Sequence, residues 1–340
     1  MSAFLLARYD LNNYRSRIIF ESFDAVFQGC TQYSSLSELR SGDNFILSRL
    51  DWYLFEYIYI RVFNPNAKIY YVAFEEVTVC PLHDFSHGLG RIFDGCAYWD
   101  RSFQNNSHEV FNIPQIKETD MLPTVSSDRN AGYISIYSYK SSTSKTSLYS
   151  TRVKIHNELV NRIGGRFYGW GWAKARVVPN NYSGDLPSKE IMKEYKFAAA
   201  IENTHGQKGN VTEKFFDAVY WGCIPVVWGD SPTDLGISSN IYIDISDLNF
   251  DKITSKSIDE CEFKKFRDHE LRTVFGVKQF RTALQKMLRK SVSHNLCVWK
   301  SISIVMRTIF FSKARNNFLS SFKYLLEISY MNTLKKMRKK

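Results

Sequence analysis

At 340 residues the chain is too long for one ordinary core and implies two domains, each large enough to bury a substantial interior. With 44% hydrophobic and 23% charged residues it is neither disordered nor collagen-like, and its unusual figures are 15% aromatic residues and a formal net charge of +11. From residue 300 onward ten bases face the single acid Glu327, so this tail carries +9 of the +11 and the body is nearly neutral. Charge confined to a terminal amphipathic segment points to an anionic membrane surface rather than to nucleic acid.

Along the chain, the amino-terminal "MSAFLLARYDLNNYR" has too short an apolar core for a signal peptide. Short runs predict strands at "DNFILS" from Asp43 and "KIYYVAFEE" from Lys68, with the helical pattern "RLDWYLFEYIYIRV" between them. A polar stretch from Arg101 to Arg129 follows, and a domain boundary is expected near its end. The second series begins with strand "GYISIYS" from Gly132, a polar loop, and a helix from about Thr151 with Val153, His156, Val160 and Ile163 on one face. Strand "RFYGWG" comes next, then a polar insert around Pro179 to Ser188 and a short helix "SKEIMKEY". Strand Phe197 to Ile201, helix Val211 to Trp221, strand Ile224 to Trp228 and strand "NIYIDI" from Asn240 complete it.

Alternating strands and helices favour an α/β fold, and right-handed crossovers would stack the strands into parallel sheets whose ligands sit off the strands' carboxyl ends. The pattern from about Phe263 is helical throughout. The expected organisation is residues 1–128 as a first Rossmann-like domain, 129–290 as a second, and 291–340 as carboxyl-terminal helices with a basic tail.

The six cysteines are scattered with no Cys-x-x-Cys pair, as expected for free thiols in a reducing compartment. No segment approaches eighteen uninterrupted apolar residues, so none is expected to span a membrane. His83 and His87 form a His-x-x-x-His pair without a third ligand, which argues against zinc. The sequence contains no Asp-x-Asp, so the usual means of holding a divalent ion on a sugar nucleotide is missing and protein cations must neutralise a diphosphate.

The densest chemistry lies in "FAAAIENTHGQKGNVTEKFFDAVYWGCIPVVWGD", Phe197 to Asp230. Val211, Phe215, Ala218 and Val219 form one helical face that packs on a sheet. Asn210 and Glu213 have the spacing of a capping box. Lys214 lies in the first helical turn, where a cation opposes the helix dipole unless something anionic stands before it. A nucleotide diphosphate would supply that anion.

This stretch resembles the donor-binding signature of the α1,3/1,4-fucosyltransferase family, above all its bacterial members, in which a Phe-Glu-Asn-x loop leads to Val-Thr-Glu-Lys and then Ile-Pro-Ile/Val-x-Trp-Gly. "NAKIYYVAFEEV" with "HDFSHGL" resembles a segment of the family's amino domain, and "LYSTRVKIHNEL" resembles its donor-domain helix. The resemblance implies a GT-B enzyme: two Rossmann-like domains whose parallel sheets face a cleft, plus carboxyl-terminal helices. Its activity would be transfer of L-fucose from GDP-fucose to a hydroxyl of an N-acetylglucosamine-containing glycan with inversion, with no obligatory metal and at most a stimulatory divalent ion.

Carried over residue by residue, the resemblance makes Arg152 and Lys214 the cations that neutralise the diphosphate and gives Glu213 the ribose hydroxyls. Glu202 and Asn203 would border donor sugar and phosphates, and Asn210, Val211 and Thr212 belong to the same donor-binding loop. Glu75 falls on the catalytic glutamate, with Glu76 as the alternative because Ala73-Phe74 precedes it where relatives carry Thr-Gly. Asn210 stands where relatives place an aromatic. The expected setting is the cytoplasmic face of an inner membrane, held there by the basic tail near a lipopolysaccharide-like acceptor; the nearest rival is an inverting GT-B transferase using another nucleotide sugar, and the opposing class is a non-catalytic polyanion-binding protein.

Overall fold

The computed structural model describes residues 3–7, 11–50, 52–74, 88–99, 101, 109–126, 129–140, 147–172, 175, 178–206, 208–291 and 298–311. It divides into two compact units, residues 1–114 with 277–340 and residues 115–276.

The first unit is built on a six-stranded parallel sheet. In chain order it contains β1 (Ala3–Leu6), α1 (Tyr14–Phe27), β2 (Cys30–Gln32), α2 (Leu36–Ser41), β3 (Asn44–Leu47), α3 (Leu54–Phe63), β4 (Lys68–Ala73), β5 (Gly95–Tyr98) and β6 (Glu109–Val110). The strand order is β2-β1-β3-β4-β5-β6, and every pair is parallel. Strand β1 is the "AFLL" of the amino terminus, an interior strand with Leu5 and Leu6 fully buried. The apolar run too short to cross a membrane has the right length for a buried parallel strand.

The second unit contains β7 (Asn130–Ile136), α4 (Tyr149–Ile163), β8 (Gly165–Tyr168), β9 (Tyr195–Ile201), α5 (Glu213–Tyr220), β10 (Ile224–Trp228) and β11 (Ile243–Asp244), followed by the short helices α6 (Lys252–Ser255), α7 (Glu260–Lys265) and α8 (Leu271–Thr273). Its strand order is β11-β10-β9-β7-β8, again all parallel. Residues alternate between the faces of β9. Phe197, Ala199 and Ile201 pack with Ile155 and Leu159 of α4, while Ala200 packs with Phe215 and Val219 of α5. Helices therefore cover both faces, which is why "FAAAI" is apolar at every position. On α5, Phe215, Phe216, Ala218 and Val219 are buried, each large side chain contributing about 1.5–3 kcal/mol by leaving water.

The chain then returns to the first unit as α9 (Val277–Arg289) and α10 (Val298–Phe311). Phe280 of α9 meets Phe23, Phe74 and Phe111 at ring-centroid distances of 5.9, 5.7 and 5.1 Å. The division thus falls at 114/115 and 276/277 rather than at the expected 128/129 and 290/291. Hydrogen bonding accounts for the first shift. The Gln115 amide donates to Phe275 O at 2.9 Å, Ile116 bridges Gly276, and Arg272 donates to Asp120 O at 2.7 Å, so the polar segment begins the second unit. The apolar face of α9, completed by Leu284 and Met287, accounts for the second.

Among the described residues no helix is long and apolar enough to cross a membrane. The His83–His87 pair, Glu75, Glu76 and the tail beyond Phe311 lie outside the described residues.

Candidate functional site

In the second unit β7 is flanked by β8 on one side and β9 on the other, so the winding direction reverses between β7 and β9. Chain connections leave the sheet in opposite directions there, which opens a crevice at the strands' carboxyl ends. A cavity of about 500 Å³ lies at that place, lined by Tyr137 after β7, Trp170 after β8, Asn203 after β9, Arg152 of α4, and Glu213 and Lys214 of α5. Four of the candidate residues, Arg152, Asn203, Glu213 and Lys214, share this wall.

Arg152 is 4% exposed and firmly held. Its Nη2 donates to Ile201 O at 3.0 Å and to Asn203 Oδ1 at 2.6 Å. The guanidinium lies over the rings of Tyr137 and Tyr149, 4.4 and 5.0 Å from their centroids. Tyr137 is itself fixed, since its hydroxyl accepts from the Ile201 amide at 3.0 Å and its carbonyl accepts from Trp172 Nε1 at 2.5 Å. Burial pushes the Tyr137 phenol well up, with Arg152 opposing, so it stays neutral. The Arg152 Nε, buried, has no hydrogen-bond partner among the described residues. A planar cation packed over two rings and fixed by two hydrogen bonds is held in place for an anion in the cavity it lines.

Glu202 lies behind this wall at 2% exposure. Its Oε1 accepts from the Thr212 amide at 2.7 Å, and its Oε2 accepts from Thr212 Oγ1 at 2.6 Å and from Lys214 Nζ at 2.9 Å. Lys214 also donates to Thr212 Oγ1 at 2.7 Å and lies 3.4 Å from Glu213 Oε1. The anion facing the lysine of the first helical turn is therefore a carboxylate of the protein. The capping box expected of Asn210 and Glu213 is not formed, because α5 begins at Glu213 with Thr212 as N-cap. The Glu202 carboxylate, at the neighbouring strand end, takes the amide of that N-cap residue. Asn210, Val211 and Thr212 are buried at 1, 5 and 8% exposure, and the Asn210 Nδ2 has no partner among the described residues. The side chain of Glu213 is 44% exposed and faces the cavity.

Sequence reasoning missed the contribution of the insert. Its Asp185, Leu186 and Lys189 complete the cavity, and Lys189 pairs with Asp217 of α5. The insert is pinned by His156, which is fully buried in α4. Its Nδ1 lies 2.9 Å from Ser135 Oγ and its Nε2 2.8 Å from Asn180 O. A carbonyl only accepts, so Nε2 carries the proton and Nδ1 accepts from Ser135. Burial pushes the imidazole down to about 4, which keeps it in this neutral form. His156 was visible in the sequence only as a member of a helical face.

Two parallel sheets, each wound in both directions from a switch point, with a cavity at the carboxyl ends of the second, make an α/β fold of GT-B type. A crystal structure of an alpha1,3-fucosyltransferase has the same fold, with a TM-score of 0.55 at 13% identity over 87% of this chain and 93% of that one. Residues 137–292, a little under half of the chain, match the family model described as "Glycosyltransferase family 10 (fucosyltransferase) C-term". The chain is also 36% identical over 64 residues to the alpha-(1,3)-fucosyltransferase FucT of Helicobacter pylori. That stretch is 18% of this chain and spans only 13% of the curated relative.

Proposed function

We propose that the chain moves L-fucose from GDP-fucose, with inversion, to a hydroxyl of an N-acetylglucosamine-containing glycan, O3 being the position favoured, as in building a lipopolysaccharide O-antigen or a similar surface glycan. The observation that carries the reading is Arg152, a buried cation packed over the rings of Tyr137 and Tyr149 in the wall of the switch-point cavity that Asn203 and Lys214 also line. The family domain at 137–292 supports fucose as the sugar transferred.

The chemistry sets distinct demands on the two ends of the reaction. A sugar nucleotide already carries a good leaving group, so the transition state needs cations at the diphosphate rather than a general acid. Arg152 answers that demand directly. Lys214, tied to Glu202, contributes a positive field at the mouth of α5 together with the helix amino end. Two charge-assisted contacts of about 1.5–3 kcal/mol each, if realised in the transition state, correspond to several powers of ten in rate. Glu213, exposed at the cavity, is suited to ribose hydroxyls. The acceptor hydroxyl needs one carboxylate base on the face opposite the leaving group, and Glu75, with Glu76 the alternative, takes that role. A divalent ion, where present, would be stimulatory rather than required.

The basic amphipathic tail would hold the enzyme on the cytoplasmic face of an inner membrane, next to a lipid-linked acceptor. Truncation after Met331 should then abolish binding to anionic liposomes.

The deciding experiment is incubation of the full chain with GDP-fucose and a panel of N-acetylglucosamine-containing acceptors, followed by product mass and linkage analysis. A fucosylated product with inverted anomeric configuration is expected. No transfer from GDP-fucose, with UDP inhibiting as well as GDP, would overturn the reading.

A further inference from the structure

Trp170 is 69% exposed, the most exposed tryptophan or phenylalanine among the described residues, yet it lines the cavity. Its position is not accidental in backbone terms. Trp170 follows Gly169, whose φ is 155° and where a Cβ would stand 1.8 Å from Tyr137 O, so only glycine permits the chain to pass there. The Gly169 amide donates to Gly184 O at 3.0 Å, and Gly169 O accepts from the Tyr182 hydroxyl at 3.1 Å. Gly184 is followed by Asp185. Trp170 and Asp185 therefore stand one residue beyond a hydrogen-bonded glycine pair and line the same cavity. The Trp170 indole makes no ring contact, and the Asp185 carboxylate no hydrogen bond or ion pair, with any other described residue.

An aromatic plate and a carboxylate that line one cavity, each following a glycine of the hydrogen-bonded pair and neither engaged by another described side chain, are what a planar heterocycle with two adjacent N–H donors requires. The ring stacks on the indole, and an ionised carboxylate accepts from both donors at once. Guanine has that edge, with N1–H next to the N2 amino group. Uracil offers one N–H between two carbonyls, which would face the carboxylate with like charge, and adenine offers its amino group beside an acceptor nitrogen. Arg152 of α4 lines the same cavity and offers the cation that the phosphates need.

We infer that Asp185 and Trp170 are the base-recognition residues of this cavity: Asp185 accepts from guanine N1–H and N2–H, and Trp170 stacks on the ring. The inference rests on the proposed use of a GDP-sugar and extends it by assigning base specificity to the polar insert, which the donor-binding motif at Phe197–Asp230 does not include.

Both side chains are at the surface, so the variants should fold. The test is calorimetric binding of GDP, xanthosine 5′-diphosphate and UDP to the full-length wild type and to Asp185→Asn, Trp170→Ala and Trp170→Phe. Xanthine carries a carbonyl where guanine has its N2 amino group. An asparagine can accept from N1–H and donate to that carbonyl, so Asp185→Asn should lose GDP affinity by on the order of ten- to a hundredfold and gain xanthosine diphosphate affinity, inverting the preference. Trp170→Ala should weaken both purine nucleotides by a similar factor, about five- to a hundredfold, and Trp170→Phe should restore most of it. A wild type that binds GDP, with Asp185→Asn keeping the same GDP preference, would overturn the assignment and leave the donor reading intact. A wild type that binds UDP as tightly as GDP would overturn both.

Discussion

Glu202 at the end of β9 and Lys214 in the first turn of α5 form an ion pair 2.9 Å long whose side chains are 2 and 12% exposed. The same carboxylate holds the Thr212 amide and hydroxyl, so one buried acid joins strand, loop and helix within the donor motif. The "VTEK" sequence is thus first a piece of internal architecture, and its outward chemistry is built on that.

Removing Lys214 takes the cation from the buried Glu202 carboxylate, and removing Glu202 leaves Lys214 only the more exposed Glu213 at 3.4 Å. Glu202→Gln and Lys214→Ala should each destabilise the second unit by about 3–5 kcal/mol. Thermal unfolding followed by circular dichroism would read this as a lowered Tm. A Glu202→Gln protein as stable as wild type would show that the pair contributes nothing to the fold.

Arg152 predicts a different signature. Lysine has no planar guanidinium to bond Ile201 O and Asn203 Oδ1 while packing over the two tyrosine rings. Arg152→Lys should raise the GDP dissociation constant by about ten- to a hundredfold, as expected for one charge-assisted contact. Isothermal titration with GDP checks this, and an unchanged affinity would remove Arg152 from the diphosphate.

His156 makes stability depend on pH. Its folded value of about 4 lies below the ordinary 6.5. Between these values the unfolded chain binds a proton that the folded one refuses, so stability falls as pH is lowered from about 6.5 to about 4 and levels off below. The slope within that window is about 1.4 kcal/mol per pH unit from this group alone. Denaturant midpoints across the window should show the slope in wild type and a shallower one in His156→Asn.

Glu75 carries the kinetic test. Glu75→Gln should lose turnover by at least about a hundredfold while GDP binding is unchanged, because a base acts on the acceptor and not on the nucleotide. Near-normal rates would transfer the role to Glu76, where Glu76→Gln should then be inactive.

Much of the second unit was legible because its elements carry their own periodicity. Strand β9 and helix α5 are set by an unbroken apolar run and by spacings of four, seven and eight, and both appear within two residues of expectation. In the first unit β3 and β4 fall inside the expected runs, and α3 passes the end of its run by one residue, Phe63. The other strands there, β1, β2, β5 and β6, are two to four residues long. Runs so short carry no period, and pairing with neighbours makes them strands. The cap of α5 was misread for a related reason: Asn210 and Glu213 have the right spacing, but the acceptor that wins the Thr212 amide is Glu202, ten residues away in sequence.

By itself the sequence determined the alternation of strands and helices, hence parallel sheets, and the donor motif with its resemblance to fucosyltransferases, because local patterns and contiguous residues are enough for both. Only the tertiary structure decided where the polar segment from Gln115 and helix α9 belong, what Lys214 pairs with, and that Trp170 and Asp185 meet in one cavity. Those outcomes depend on contacts between residues distant in the chain, made through backbone hydrogen bonds such as Gly169 to Gly184 that leave no pattern in the side chains.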